Sequence, residues 1–273
     1  MMPLMNSALM TFTWALATAT TSLLILTAGL TLLNKLARRA SDALARAPLL
    51  DVIVASFTWL PWVVSSMLGG WIAFAGALVG QLLALYAFCL MHEMLHPGAR
   101  RGPRIIKFLN RTVGRWRNHV ALLVTLVALP GFWFIRAVQI VAYWPLVVLL
   151  GFPRYRPGEW VNVSRQKFDG LVGHDLVWCL YCDWMTGVYS LGAEMLRNVE
   201  SFWCPIRFYD GKKCANCRTD FPDIDHGWVP ADGTMREVEQ LLQEKYGEGH
   251  RTWFGHPARL TVKGKPIETY AQT

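Results

Sequence analysis

The first 34 residues carry no charged side chain, and the first 151 carry only three acidic ones, Asp42, Asp51 and Glu93. An uncharged run of that length excludes a helix lying on a soluble protein's surface, which needs a polar face towards water. The N-terminus lacks the basic segment and small-residue cleavage site of a secretory leader, so its apolar run reads as a retained helix. Internal repeats and low-complexity tracts are also missing. Acidic residues are scarce in the first half, but basic ones are not. Residues 1–151 hold twelve Lys/Arg, whereas residues 152–273 hold fifteen Lys/Arg against sixteen Asp/Glu. The overall charge of +8 therefore belongs to the apolar half. That placement argues for membrane orientation and anionic lipid headgroups as partners, and against nucleic acid.

Hydrophobic residues make up 53% of the chain, thirteen residues are tryptophan and the mean hydropathy is +0.26, values that suit a multispanning membrane protein. Ala8–Leu33 is long enough to cross a bilayer, and Lys35, Arg38, Arg39 and Arg46 behind it place its C-terminal end in the cytoplasm. A second apolar run covers Leu49–Leu68. Gly69-Gly70 then leaves room only for an antiparallel hairpin into a third run, Trp71–Met91. The loop Gly98–Arg117 holds seven basic residues and no acidic one. Ile105, Ile106, Phe108, Leu109 and Val113 are interleaved with them, which predicts an amphipathic helix on the membrane surface. Residues 119–152 are again apolar, with breakers at Pro130-Gly131 and Pro145. They read as a hairpin of two short spans because basic residues flank both ends, the alternative being one long kinked span that would put the C-terminus outside. Trp59, Trp62, Trp71, Trp133, Trp144 and Trp160 read as interface anchors and packing.

The expected fold is thus an all-α polytopic membrane domain of about five transmembrane helices, residues 1–152. A small cytoplasmic α-rich, Cys-rich, metal-stabilised domain follows over 153–247, and a C-terminal tail over 248–273. The expected location is an integral position in a bacterial inner membrane, with the C-terminal domain cytoplasmic. Thr186–Trp203 has helical apolar spacing. Thr234-Met235-Arg236-Glu237 fits a capping box opening a helix that ends at Gly247.

Two chemical patterns stand out. His92-Glu93-Met94-Leu95-His96 sets two imidazoles one helical turn apart, where they can bind one metal ion. With zinc, Glu93 would be the catalytic general base of an intramembrane metalloprotease, and Asp169 the only downstream candidate for a third ligand. Pro97 rejects helical geometry at the residue before it, so the metal-binding turn is expected to fray at His96. The second pattern is Cys179-x-x-Cys182 and Cys214-x-x-Cys217, with Cys204 between them. Four thiolates can close a site for structural zinc, a single iron or, with Cys204 in reserve, an iron–sulfur cluster, and His174 could also join. Cys89, within the apolar run, reads as a packing residue.

The histidine stretch, at the cytoplasmic end of a hairpin's second helix, resembles the first histidine box of the membrane fatty-acid desaturase and hydroxylase superfamily. The similarity extends to Asn110-Arg111-Thr112-Val113-Gly114 and to the order of elements over residues 50–152. It implies an iron-dependent oxidoreductase acting on a lipid-like substrate, fed by an electron-donor protein. His92, His96, His119 and His174 would then be metal ligands, and Glu93 a ligand or proton acceptor. The family's later His-x-x-His-His boxes are replaced here by His119 and His174 alone. The cysteine pairs are similar in layout to rubredoxin and to zinc ribbons, with Asp183 and Arg218 where rubredoxin has glycine. A third reading is a non-enzymatic membrane subunit whose cysteine domain docks a partner.

Overall fold

The computed structural model describes residues 2–207, 228–246, 261–262 and 265–266. It is almost entirely helical. The elements are α1 (Met2–Leu36), α2 (Arg38–Leu44), α3 (Leu49–Phe57), α4 (Leu60–Leu95), α5 (Pro97–Arg101), α6 (Ile105–Val113) and α7 (Arg115–Thr125). They continue with α8 (Leu129–Val141), α9 (Tyr143–Leu150), α10 (Pro157–Trp160), α11 (Gly173–Trp203) and α12 (Met235–Tyr246). Two short strands, Thr261–Val262 and Lys265–Pro266, pair antiparallel within the expected tail.

Three helical stretches are long and apolar enough to cross a bilayer: Ser7–Leu36, Leu60–Leu95 and Arg115–Leu150. The expected membrane architecture therefore holds in its coarser form. Leu49–Leu68 is divided between α3 and the start of α4, and the two short spans expected in 119–152 fall within one candidate stretch.

The chain forms two compact units, residues 1–127 with 157–186, and residues 128–156 with 187–273. In the first, α4 is broken at Gly69 and Gly70, where Gly70 takes φ +63°, a value that glycine adopts without strain. The break is a hairpin. Gln81 accepts the Trp62 indole N–H at 2.5 Å and donates its own amide to the carbonyl oxygens of Phe57 and Thr58. Residues 57–58 and 81 lie about equally far from the break, so they meet only if the two arms run antiparallel.

α1 packs along the second arm of α4 through small residues. Ala15, Ala19, Ala73 and Ala77 are buried there. A Cβ added at Gly76 would stand 2.4 Å from the Phe12 carbonyl oxygen, and one at Gly80 would stand 2.5 Å from that of Leu16. Bare backbone at these positions lets the helices approach closely, which is how helices associate when surrounding lipid removes the hydrophobic drive. Thr20 adds a hydrogen bond to the Gly80 carbonyl at 3.0 Å.

A polar layer closes the end of this unit where α1 and α4 finish. The Ala47 N–H donates to the Val161 carbonyl at 2.9 Å, and the Val163 N–H donates to that of Ala45 at 2.9 Å. Lys167 reaches Asp42 at 2.6 Å, and Trp184 donates to Asp51 at 3.4 Å. Residues 157–184 are thereby stitched onto the segment between α1 and α4, from Asp42 to Asp51.

In the second unit, Arg136, Gln139 and Tyr143 lie three and four residues apart and present one buried polar face of α8 and α9. Gln139 donates to the Val188 carbonyl at 2.6 Å, and Asn198 donates to the Tyr143 hydroxyl at 3.3 Å and to that of Tyr155. Burial pushes the Tyr155 hydroxyl well above its usual pKa and keeps it neutral. The capping box forms as expected: Glu237 accepts from the Thr234 N–H at 2.5 Å and from its hydroxyl at 2.8 Å.

Candidate functional site

The helical arm carrying His92 and Glu93 ends at Leu95, and His96 already has φ −123° and ψ 65°. Pro97 is the cause, as the sequence leads one to expect. Freed from the helix, the His96 ring folds back. It donates from Nδ1 to the His92 carbonyl at 2.8 Å and stacks on the His92 ring with centroids 4.4 Å apart.

Glu93 meets a partner that the local sequence does not announce. Arg104 donates from Nη2 to Glu93 Oε1 at 2.8 Å, from Nε to Asp175 Oδ2 at 2.5 Å, and from Nη2 to the Val172 carbonyl at 3.1 Å. The Arg104 and Asp175 side chains are almost wholly buried, and Glu93 keeps about a fifth of its side-chain surface in contact with solvent. Burial works against the guanidinium charge, but its bonds to Glu93 and Asp175 outweigh that, and its pKa rises. One cation between two carboxylates leaves a negative excess. The second Asp175 oxygen relieves part of it by accepting the Ile106 N–H at 2.9 Å, at the N-terminus of α6 where the helix dipole favours an anion.

Gly173 lets this clasp close. It has φ +54°, and a Cβ there would lie 2.5 Å from Glu93 Cγ and Oε1 and 2.8 Å from the Cys89 carbonyl oxygen. Its N–H donates to His92 Nδ1 at 3.2 Å, which puts the His92 proton on Nε2.

The other two histidines expected as ligands, His119 and His174, lie in the same unit. The Trp178 indole donates to His174 Nε2 at 2.9 Å, and His119 donates from Nδ1 to the Arg115 carbonyl at 2.7 Å. Their rings are 5.6 Å apart, centre to centre. Burial, aided by neighbouring His119, lowers the His174 pKa below its ordinary value and favours the neutral ring.

The expected metal centres are overturned. Among the described residues no group of three or more His, Cys, Asp and Glu is placed to hold a metal ion, which removes iron at His92, His96, His119 and His174. The physical reason is how the donor atoms are used. His92 Nδ1 accepts a backbone N–H, His174 Nε2 accepts an indole N–H, and Glu93 binds Arg104. Asp169 lies in an exposed turn.

Zinc or iron at the cysteines fares the same among the described residues. Cys179 and Cys182 sit one turn apart on α11, with burial pushing the Cys179 thiol pKa up and so disfavouring the thiolate a metal needs. Cys204 is exposed just beyond α11, while Cys214 and Cys217 lie outside the described residues. Asn110 and Gly114, part of the desaturase resemblance, have local duties. Asn110 accepts from the Asn118 amide at 2.9 Å, and Gly114, at φ +92°, turns the chain from α6 into α7.

Arg104, Asp175 and Gly173 escaped the sequence reading. One signal pointed to a pair: Glu93 is the only acidic residue between Asp51 and Glu159, at the end of a membrane-length helix, and such a carboxylate calls for a cation. No family model matches the chain, and neither the curated proteins nor the solved structures contain a match.

Proposed function

We propose that this chain is a non-catalytic membrane subunit: a helical anchor that carries a polar cap and offers it to a partner protein. The observation that carries this reading is the clasp Glu93–Arg104–Asp175. The carboxylate best placed by sequence to act as a base is committed to a buried ion pair that ties residues 172–175 to the end of α4. An acid–base residue must exchange protons with a substrate, whereas Glu93 is fixed as the anion that holds Arg104.

The polar cap faces the cytoplasm in this reading. Lys35 lies in the last turn of α1, Arg38, Arg39 and Arg46 follow it, and the basic loop follows α4, a bias that keeps such ends inside. The exposed turn Ser164–Gly170, with Phe168 at 70% exposure between Lys167 and Asp169, is the docking point.

Two measurements test the proposal. Elemental analysis of the purified full chain, wild type against His92→Ala/His96→Ala, should show the same iron and zinc content in both. A stoichiometric metal lost with the histidines would overturn the non-catalytic reading. A photo-crosslinking phenylalanine analogue at position 168 should trap one adduct of defined mass in native membranes, and no adduct would refute docking at this turn.

A further inference from the structure

Seven basic residues lie between Gly98 and Arg117, but they do not share one role. Arg104 is turned inward and neutralised by Glu93 and Asp175. Arg100, Arg101, Lys107, Arg111, Arg115 and Arg117 are all exposed, with no acidic residue among them in the sequence. Helical spacing sorts α6 into two sides. Ile105, Phe108 and Thr112 share one, while Lys107 and Arg111, four apart, share another. Apolar side chains are left uncovered on the same segment: Ile105 is 51% exposed, Phe108 61% and Trp116 78%.

The segment has little freedom to leave the membrane surface. It joins the end of one candidate span, Leu60–Leu95, to the start of another, Arg115–Leu150. Asp175 anchors its N-terminal turn by accepting the Ile106 N–H at 2.9 Å. An uncovered apolar stripe flanked by cations, held at the level where two spans end, has the chemistry of an interfacial helix.

We propose that α5, α6 and the first turn of α7 form a binding face for anionic phospholipid. Ile105, Phe108 and Trp116 enter the boundary between headgroups and acyl chains, and Lys107, Arg111, Arg115 and Arg117 pair with headgroup phosphates. The face selects lipids with net negative charge over zwitterionic ones, because charge is what the exposed cations recognise. This inference is independent of the subunit's catalytic status.

Native mass spectrometry of the full chain in detergent tests it, with phosphatidylglycerol and phosphatidylcholine of matched acyl chains supplied in equal amounts. Wild-type protein should retain phosphatidylglycerol preferentially. Each of Lys107→Gln, Arg111→Gln and Arg115→Gln should lower that preference by about fivefold. Phe108→Ser, which keeps every charge, should weaken retention of both lipids. None of these positions belongs to the clasp, so helical circular dichroism and thermal melting should match wild type, and each single variant is read on its own should a combination fail to fold. Equal retention of the two lipids by wild type would overturn the proposal, as would an unchanged preference in all three charge variants. Displacement of phosphatidylglycerol by inorganic phosphate at matched concentration would also overturn it, by showing a free-anion site instead.

Discussion

Replacing Arg104 by methionine should detach the polar cap from the end of α4. The substitution keeps most of the aliphatic bulk and removes three donated bonds, to Glu93, Asp175 and the Val172 carbonyl. Glu93 retains a fifth of its side-chain surface and can recover water, so its loss is the smaller one. Asp175, 4% exposed, is left as a buried anion whose remaining hydrogen bond among the described residues is from the Ile106 N–H. Removing one partner of a buried pair costs about 3–5 kcal/mol, and the partial hydration of Glu93 places this case near the lower end. At about 1.4 kcal/mol per factor of ten, local opening should rise roughly a hundredfold. Hydrogen exchange of the full chain, followed at the Ile106 and Gly173 amides, reads this directly. A double-mutant cycle with Asp175→Asn isolates the pair, because Arg104→Met/Asp175→Asn no longer buries an unpaired charge and should recover part of the loss. Unchanged exchange at both amides in Arg104→Met, or strict additivity in the cycle, would refute the clasp as the element that holds the cap.

Three further outcomes follow from other positions. Gly76→Leu should force α1 away from α4 and destabilise the protein by about 2–3 kcal/mol in detergent unfolding, since even its Cβ would meet the Phe12 carbonyl. Gly29→Ala, in open space on α1, should be neutral or mildly stabilising. The His174 pKa is lowered in the folded state from its ordinary 6.5, so its contribution to stability is complete above that value and is lost as pH falls towards the folded pKa. Thermal melts between pH 7.5 and 5 should therefore fall less steeply in His174→Gln than in wild type, and parallel curves would contradict the assignment.

Much of the backbone is legible in the sequence, because it follows from rules acting over a few residues. Gly69-Gly70 marks the hairpin, Pro97 takes His96 out of the helix and so ends it at Leu95, and Thr234 with Glu237 opens α12. The coarse membrane character follows from uncharged length. The clasp is of another kind. Arg104 and Asp175 are separated by 71 positions, and nothing in a run of seven basic residues marks the one that turns inward. Likewise, α11 begins at Gly173, well before Thr186, and that first part is held by contacts with segments distant in sequence, such as Trp184 with Asp51 of α3 and Asp183 with the Ser164 N–H.

The histidines show where spacing stops being informative. Four-residue spacing places two imidazoles near each other, and here they do meet, with His92 and His96 ring to ring. A metal site needs more than proximity, because lone pairs must converge on one point with their opposite nitrogens held by second partners. Pro97 frees His96 from the helix, and its ring turns to the backbone of its neighbour instead of projecting beside it. Gly173, with no side chain, comes close enough to give its N–H to His92, and the same approach carries Asp175 to Arg104 and to the first turn of α6. A glycine, a proline and a buried arginine thus turn a ligand-like motif into a latch, and the latch holds the N-terminal turn of α6, the helix we propose to face the lipid. Loosening it at Arg104 should therefore change the protein's lipid preference although Arg104 itself touches no solvent-facing cation site, whereas a pair of metal-ligating histidines would give no such coupling.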